Sequence, residues 1–95
     1  MNNPDVSVIV PVYNVAKYLR KCLNSLIGQT YRNFEVVCFN DASTDNSLEI
    51  LEEYALKDRH IHIINSSVNI KQGGGRNRAI SESKAPYIAF VDSDD

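Results

Sequence analysis

The chain has 95 residues, which is enough for one small domain, predicted to span residues 1–95. Apolar residues make up 43% and charged residues 23%, a balance that is typical of globular proteins and excludes disordered, collagen-like and coiled-coil sequences. The net charge of −2 argues against a nucleic-acid-binding module, which usually carries a basic face.

The start of the chain and its two cysteines bear on the compartment. Met1 to Asp5 contains neither a basic segment nor a long apolar stretch, so we expect no secretory leader, and no apolar run is long enough to cross a membrane. Cys22 and Cys38 lie in apolar surroundings and are predicted to be small buried thiols in a reducing compartment. The predicted compartment is the cytoplasm, and a peripheral position on a membrane stays open for a longer protein.

The first strand and helix are predicted from residues 6 to 28. Residues 6–10 form a β-branched run closed by Pro11, which predicts a buried strand. Apolar residues then recur every three or four positions over residues 15–27, which predicts a helix. Asn14 is its predicted cap and Gly28 ends it.

Three further strands and two helices follow in alternation. Residues 34–39 predict the second strand, and a second helix with Leu51 and Tyr54 on its apolar face follows, capped by Thr44 or Asp45. Residues 61–64 predict a short third strand. A loop is expected through the three glycines at 73–75, then a short helix over 76–83 and a fourth strand over 87–91.

Alternating strands and helices with apolar strands predict an α/β fold. The expected architecture is a doubly wound, Rossmann-like, mostly parallel sheet of about four strands, with helices on both faces. Ligands of such sheets bind outside the carboxyl ends of the strands. The polar residues that follow strands one, two and four are therefore the candidate site: Tyr13 and Asn14, Asn40 and Asp41, and Asp92, Asp94 and Asp95.

The acidic segment after the fourth strand predicts a cation site. Carboxylates packed together repel one another unless a cation or water relieves them. Carboxylates with phosphate oxygens are the usual ligands of Mg²⁺ and Mn²⁺. The alternative is a solvated acidic chain end.

The polar segment at residues 40–45 has two interpretations. A capping turn explains Ser43, Thr44 and Asp45. It does not require Asp41, whose carboxylate at the strand tip could accept a hydrogen bond from a base N–H such as that of uracil.

The three glycines admit a phosphate-binding interpretation. Free backbone N–H groups at a helix start favour an anion, and Lys71, Arg76 and Arg78 add positive charge. Neither GxGxxG nor GxxxxGK[ST] is present, however, so a flexible turn is the alternative.

Taken in order, these motifs resemble the nucleotide-binding half of the family 2 inverting glycosyltransferases, which have the GT-A fold. The resemblance covers essentially residues 5–95. The matching segments are Val8-Ile9-Val10-Pro11-Val12-Tyr13-Asn14, Tyr18-Leu19, Ser25-Leu26, Gln29-Thr30-Tyr31, Asn33-Phe34-Glu35-Val36, Asn40-Asp41-Ala42-Ser43-Thr44-Asp45, Gly75-Arg76-Asn77 and Phe90-Val91-Asp92-Ser93-Asp94-Asp95. The last contains the family's DXD motif. Three residues depart from the family's pattern: Asn40 stands for Asp, Ala42 for Gly and Gly75 for Ala.

The resemblance implies a set of nucleotide-binding and metal-binding residues. The base would be held at residues 11–14, with Asp41 accepting from uracil. The implied nucleotide-binding residues are Pro11, Val12, Tyr13, Asn14, Asp41, Lys71, Arg76, Asp92 and Asp94. Asp94 and Asp95 would bind Mn²⁺ or Mg²⁺.

The resemblance also implies the reaction. A sugar would pass from a nucleotide-sugar, expected to be a UDP-sugar, to a hydroxyl of a glycan, lipid-linked or other acceptor with inversion. The acceptor site and the general base follow the DXD motif in this family, so no catalytic residue is assigned before Asp95 and the 95 residues alone are expected to be inactive. The last strand would be a bare sheet edge, open to self-association.

Two other functions stay open. One is a non-catalytic nucleotide-binding module. The other is a nucleotidyltransferase, which would more often carry a glycine-rich, basic loop directly after the first strand, where this chain has Pro11-Val12-Tyr13-Asn14.

Overall fold

The fold is an alternation of strands and helices. A computed structural model of the chain describes residues 4–28, 33–66 and 71–93, with the backbone alone for residues 71–76. The elements are β1 (Val6–Val12), α1 (Ala16–Ile27), β2 (Phe34–Asp41), α2 (Ser47–Lys57), β3 (Ile61–Ser66), α3 (Lys71–Glu82) and β4 (Tyr87–Phe90). Each strand that the sequence predicts is present, and in the predicted order.

The strands of the described residues form one parallel sheet in the order β3-β2-β1-β4. The chain therefore builds outward from β1 to β3 and then returns across the sheet to β4 on the other side of β1. This is the doubly wound α/β arrangement that the sequence predicts.

Two apolar layers cover the sheet because successive strand residues point to opposite faces. Val36 and Cys38 of β2 pack with the apolar sides of α1 and α2. Val37 and Phe39 of the same strand pack on the other face, where Ala79 of α3 is fully buried. β2 is thus covered on both sides, which explains its unbroken apolar sequence.

The predicted burial of the cysteines is confirmed for one of the two. Neither cysteine forms a disulfide within the described residues; Cys38 is fully buried, and Cys22 is only partly buried. Burial raises the pKa of the Cys38 thiol, because an apolar interior disfavours the thiolate.

β4 is the exception to the expectation that each apolar strand is covered on both faces. It pairs with β1 at one edge of the sheet, and all four of its residues are exposed in the described structure. Tyr87 is 70% exposed and Phe90 50% exposed. The predicted bare sheet edge is confirmed for this strand.

The predicted start of the third helix was wrong. α3 begins at Lys71 and includes the three glycines, so these residues do not form the expected loop. Glycine lowers helix propensity by about 1 kcal/mol per residue relative to alanine, which is why the pattern favoured a loop. β1 and β2 also run two residues further than predicted, to Val12 and Asp41, since their ladder continues through the pair Val12 and Asn40.

Candidate functional site

The carboxyl ends of β1, β2 and β4 meet at one edge of the sheet. Val12, at the end of β1, pairs with Asn40 of β2, and the N–H of Val91 donates to the carbonyl of Ile9 at 3.0 Å. Tyr13 just after β1, Asp41 at the end of β2 and Asp92 just after β4 therefore lie at the same edge, on three adjacent strands. Six of the sequence-predicted residues come together here: Pro11, Val12, Tyr13, Asn14, Asp41 and Asp92.

These residues differ in what they present to a ligand. Tyr13 is 50% exposed and Asp41 is half-buried, so both can offer side-chain atoms at the edge. The Val12 side chain is only 1% exposed and packs in the core with α1 and α2. Any contact of Val12 with a nucleotide must therefore come from its backbone.

Ser93 ties the acidic segment to the end of β1. Its hydroxyl donates to the carbonyl of Pro11 at 2.8 Å, and the residue is 3% exposed. The neighbouring Asp92 is exposed. Sequence reasoning missed this anchor, whose signal was a small uncharged residue inside an acidic run.

The remaining predicted residues are described in part or not at all. Lys71 begins α3 and Arg76 lies within it, but the structure describes only their backbone. Asp94 and Asp95, the predicted metal ligands, lie outside the described residues. Within residues 4–28, 33–66 and 71–93, no three His, Cys, Asp or Glu side chains are grouped to hold a metal ion.

Hydrogen bonds join the turn after β1 to the turn after β2, and we call this set the loop interlock. The Oδ1 atom of Asn14 accepts from the N–H of Thr44 at 2.7 Å, from the N–H of Asp45 at 3.2 Å and from the Thr44 hydroxyl at 3.3 Å. In return, the N–H of Asn14 donates to the hydroxyl of Ser43 at 3.1 Å. The two turns are therefore held together by Asn14 and residues 43–45.

The prediction that Asn14 caps α1 was wrong. The N-cap position is Val15 and no cap side chain bonds to the helix. The first N–H groups instead donate across to the other turn, Val15 to the Ser47 hydroxyl and Ala16 to Asp45 Oδ2, both at 3.1 Å. Capping rules consider only residues close to the helix start in sequence, whereas the acceptors here are 29 and 32 residues away.

Asp45 serves both helices. Its second carboxylate oxygen accepts from the N–H of Ser47 at 2.9 Å at the start of α2, whose N-cap position is Asn46. Partial desolvation acts to raise the pKa of Asp45, but hydrogen bonds from Ser47 and Ala16 outweigh it and hold the pKa below its ordinary 3.8. The carboxylate is therefore charged at neutral pH.

Both turns contain a residue in the left-handed backbone region. Asn14 has φ 52° and Ala42 has φ 59°. Asparagine adopts this region readily, whereas the Cβ of alanine is strained there. The family that the sequence resembles has glycine at the position of Ala42.

Ala42→Gly is therefore expected to stabilise the protein. The free energy of unfolding should rise by about 0.5–1 kcal/mol, since the relieved strain exceeds the extra chain entropy that glycine loses on folding. Chemical denaturation measures the change. Ala55→Gly in α2 is the matched control and should destabilise by about 1 kcal/mol. A loss of stability in both variants would contradict the strain at Ala42.

Asn40, another departure from the family's pattern, is fixed by a neighbouring strand. It is 2% exposed, and its Nδ2 donates to Oδ1 of Asn65 on β3 at 2.7 Å. Its own Oδ1 is buried and has no hydrogen-bond partner among the described residues. The Asn40 amide thus connects the ends of β2 and β3.

The chain is similar to proteins of one known family. The family model "Glycosyl transferase family 2" matches residues 7–95. Glycosyltransferase GlyA of Streptococcus pneumoniae serotype 4 is 49% identical over 90 residues, which is 95% of this chain and 13% of that protein.

In the described ranges, no helix is both long and apolar enough for a membrane span.

Solved structures show the same fold. S. aureus TarS 1-349 in complex with UDP-GlcNAc matches with TM-score 0.88 and 40% identity, over 95% of this chain and 26% of that one. The mannosyltransferase PcManGT of Pyrobaculum calidifontis, in complex with GDP-Man and Mn²⁺, matches with TM-score 0.88 and 25% identity, over 98% and 28%. This chain thus spans less than a third of each of these proteins. Since the family model matches nearly its whole length, the chain belongs to glycosyl transferase family 2 and has the GT-A fold.

Proposed function

We propose that this chain is the donor-binding part of a glycosyltransferase that transfers a sugar from a UDP-sugar to an acceptor hydroxyl with inversion. The observation that carries the proposal is the gathering of Tyr13, Asp41 and Asp92 at the carboxyl edge of the parallel sheet. Family membership and the UDP-GlcNAc bound to the similar TarS structure support a nucleotide-sugar as the ligand.

The base would lie between the turns after β1 and β2. The Asp41 carboxylate would accept a hydrogen bond from N3–H of uracil, which is a charge-assisted bond in a partly desolvated place. The exposed ring of Tyr13 supplies an apolar wall on the side of β1. Cytosine has an acceptor at N3 and would face the carboxylate unfavourably.

The diphosphate would lie toward the acidic segment after β4. Asp94 and Asp95 would hold Mn²⁺ or Mg²⁺, and carboxylate oxygens are suitable ligands for both ions. The Mn²⁺ in the similar PcManGT structure supports this assignment. When bound, the ion would neutralise the charge of the leaving diphosphate. The bond from Ser93 to Pro11 supports this assignment, since it holds the residue before Asp94 at the carboxyl end of β1. Lys71 and Arg76 would border the nucleotide from α3.

In this proposal the rest of the reaction would be performed by residues outside these 95. We assign no catalytic base to residues 1–95, which form a single donor-binding domain in this proposal. The base and the glycan, lipid-linked or other acceptor would be held elsewhere. Cysteines that form no disulfide within the described residues fit a cytoplasmic protein. The exposed β4 edge is the surface through which the isolated chain would self-associate.

The test of the proposal is nucleotide selectivity measured by calorimetry with Mn²⁺ present. UDP should bind about ten- to hundredfold more tightly than CDP, because a charge-assisted hydrogen bond is worth about 1.5–3 kcal/mol. Asp41→Ala should lose this preference. Glu49→Ala, which removes an exposed carboxylate of α2, is the matched control and should keep it. Equal affinity for UDP and CDP in the unaltered chain would remove Asp41 from the site.

A second arm of the same titration addresses the metal. Replacing Mn²⁺ by a chelator should weaken UDP binding by about 1–3 kcal/mol, since ion and diphosphate each complete the other's ligand set. Asp95→Asn should lose more of this coupling than Asp92→Asn. An unchanged UDP affinity would mean that the acidic segment is a solvated tail in this chain.

A further inference from the structure

We propose that Asn14 is a positioning residue: it sets the gap between Tyr13 and Asp41, and so the affinity for the base, without touching the nucleotide. This inference rests on the proposed function and deepens it. It also differs from the expectation from the sequence, which placed Asn14 among the residues that contact the nucleotide.

The first argument is that the side-chain oxygen of Asn14 is already fully used. Oδ1 accepts from two backbone N–H groups and one hydroxyl of the other turn, at 2.7, 3.2 and 3.3 Å. A carbonyl oxygen has two lone pairs, so three donors leave no acceptor capacity for a ligand. The geometry directs this oxygen at the neighbouring turn.

The second argument is the place of the loop interlock in the sequence. Asn14 directly follows Tyr13, and the interlock partners at residues 43–45 begin two residues after Asp41. The bonds therefore connect the two turns that would flank the base. The ladder holds β1 and β2 together up to the pair Val12 and Asn40, and beyond that pair these bonds hold the two turns against each other.

The third argument is strain. Asn14 and Ala42 both have left-handed backbone, at φ 52° and 59°, one in each of the joined turns. Such conformations persist where the surrounding bonds fix them. Without the Asn14 oxygen, the turn that contains Ala42 loses its hydrogen bonds from the N–H groups of Thr44 and Asp45, and it is free to relax away from the nucleotide edge.

The fourth argument is that the Asn14 side chain is separable from the rest of the fold. The start of α1 is held by other groups, namely the Ser47 hydroxyl on Val15 and the Asp45 carboxylate on Ala16. Asn14 itself is exposed and lies outside the apolar core. When its side chain is removed, the apolar core is unchanged and the first N–H groups of α1 keep acceptors of their own.

The test measures how much of the affinity depends on the base. UDP and pyrophosphate are each titrated into the chain with Mn²⁺ present, and the ratio of their affinities isolates the contribution of the uridine. Asn14→Gly keeps a residue that accepts the left-handed backbone but removes the oxygen. The ratio should fall about tenfold, which is about the effect of losing one net hydrogen bond.

Two further variants separate positioning from contact. Asn14→Asp restores an acceptor oxygen at the same place, and the ratio should return toward that of the unaltered chain, since any added repulsion acts on both probes. Asn46→Gly is the matched control, an exposed asparagine in the adjacent turn without a side-chain cap bond, and should leave the ratio unchanged. Ser43→Ala, which removes the acceptor of the Asn14 N–H, should lower the ratio about threefold. If circular dichroism shows that Asn14→Gly is unfolded, Ser43→Ala is the variant that tests the inference.

The outcomes are distinct. An unchanged ratio in folded Asn14→Gly, or in Ser43→Ala where the glycine variant is unfolded, overturns the inference and leaves the proposed function standing. An equal loss in Asn14→Gly and Asn14→Asp also overturns it, because the amide would then contact the base directly. If the unaltered chain binds UDP no more tightly than pyrophosphate, the uridine part of the proposed function fails, and this inference fails with it.

Discussion

Glu35→Ala is expected to lower the free energy of unfolding by about 3 kcal/mol, because it leaves the buried Ser7 hydroxyl and the partly buried N–H of Lys84 without their acceptor. Glu35 is 4% exposed on β2, and its carboxylate accepts from the hydroxyl of Ser7 and from the N–H of Lys84, the latter at 2.8 Å. The Ser7 hydroxyl in turn accepts from the N–H of Ala85 at 3.3 Å. The carboxylate thus joins β1 and β2 to the connection between α3 and β4.

Chemical denaturation of Glu35→Ala and two companion variants checks this result. Glu35→Gln keeps an oxygen acceptor for the two donors and should cost about 1 kcal/mol. Glu49→Ala removes a carboxylate from the exposed side of α2 and should change stability by less than about 0.5 kcal/mol. If Glu35→Ala were as mild as Glu49→Ala, the bonds to Ser7 and Lys84 would contribute nothing to the folded state.

Leu51→Ala should destabilise the chain by about 3 kcal/mol, through lost apolar burial and the cavity that remains. Leu51 is fully buried where α2 packs on the sheet. The same helix offers a matched control, since Leu56 is 90% exposed. Leu56→Ala should stay within about 0.5 kcal/mol of the unaltered chain. Similar losses in both variants would show that α2 does not pack through the side that contains Leu51.

The order of the elements could be predicted from the sequence because it depends on short-range patterns. Each strand is a run of β-branched and apolar residues, and α1 shows its three- and four-residue spacing directly. The edge at which the polar residues gather follows from parallel pairing alone. The start of α3 could not be predicted, since three successive glycines resemble a loop and the helix is specified by its packing on the sheet through Ala79.

The polar contacts of the site could not be predicted, because their partners are distant in sequence. Ser93 and Pro11 are 82 positions apart, and Val15 and Ser47 are 32 apart. Asn14 was predicted to cap its own helix, whereas its oxygen bonds to residues about 30 positions later. Local rules identify which residues are polar at a strand end, but the register between strands decides which of them meet.

The central place of β1 in the sheet determines when the carboxyl edge of the sheet can form during synthesis. Val6 pairs with Phe34 on one side and with Tyr87 on the other, so its second partner leaves the ribosome some eighty residues after the strand itself. Contacts so distant in sequence form slowly, because loop closure must be completed before they stabilise anything. The β1–β2 half can assemble early, with the loop interlock in place. Ser93 reaches Pro11 after these turns have formed, so a nascent chain would gain the turns proposed to hold the base before the place proposed for the diphosphate.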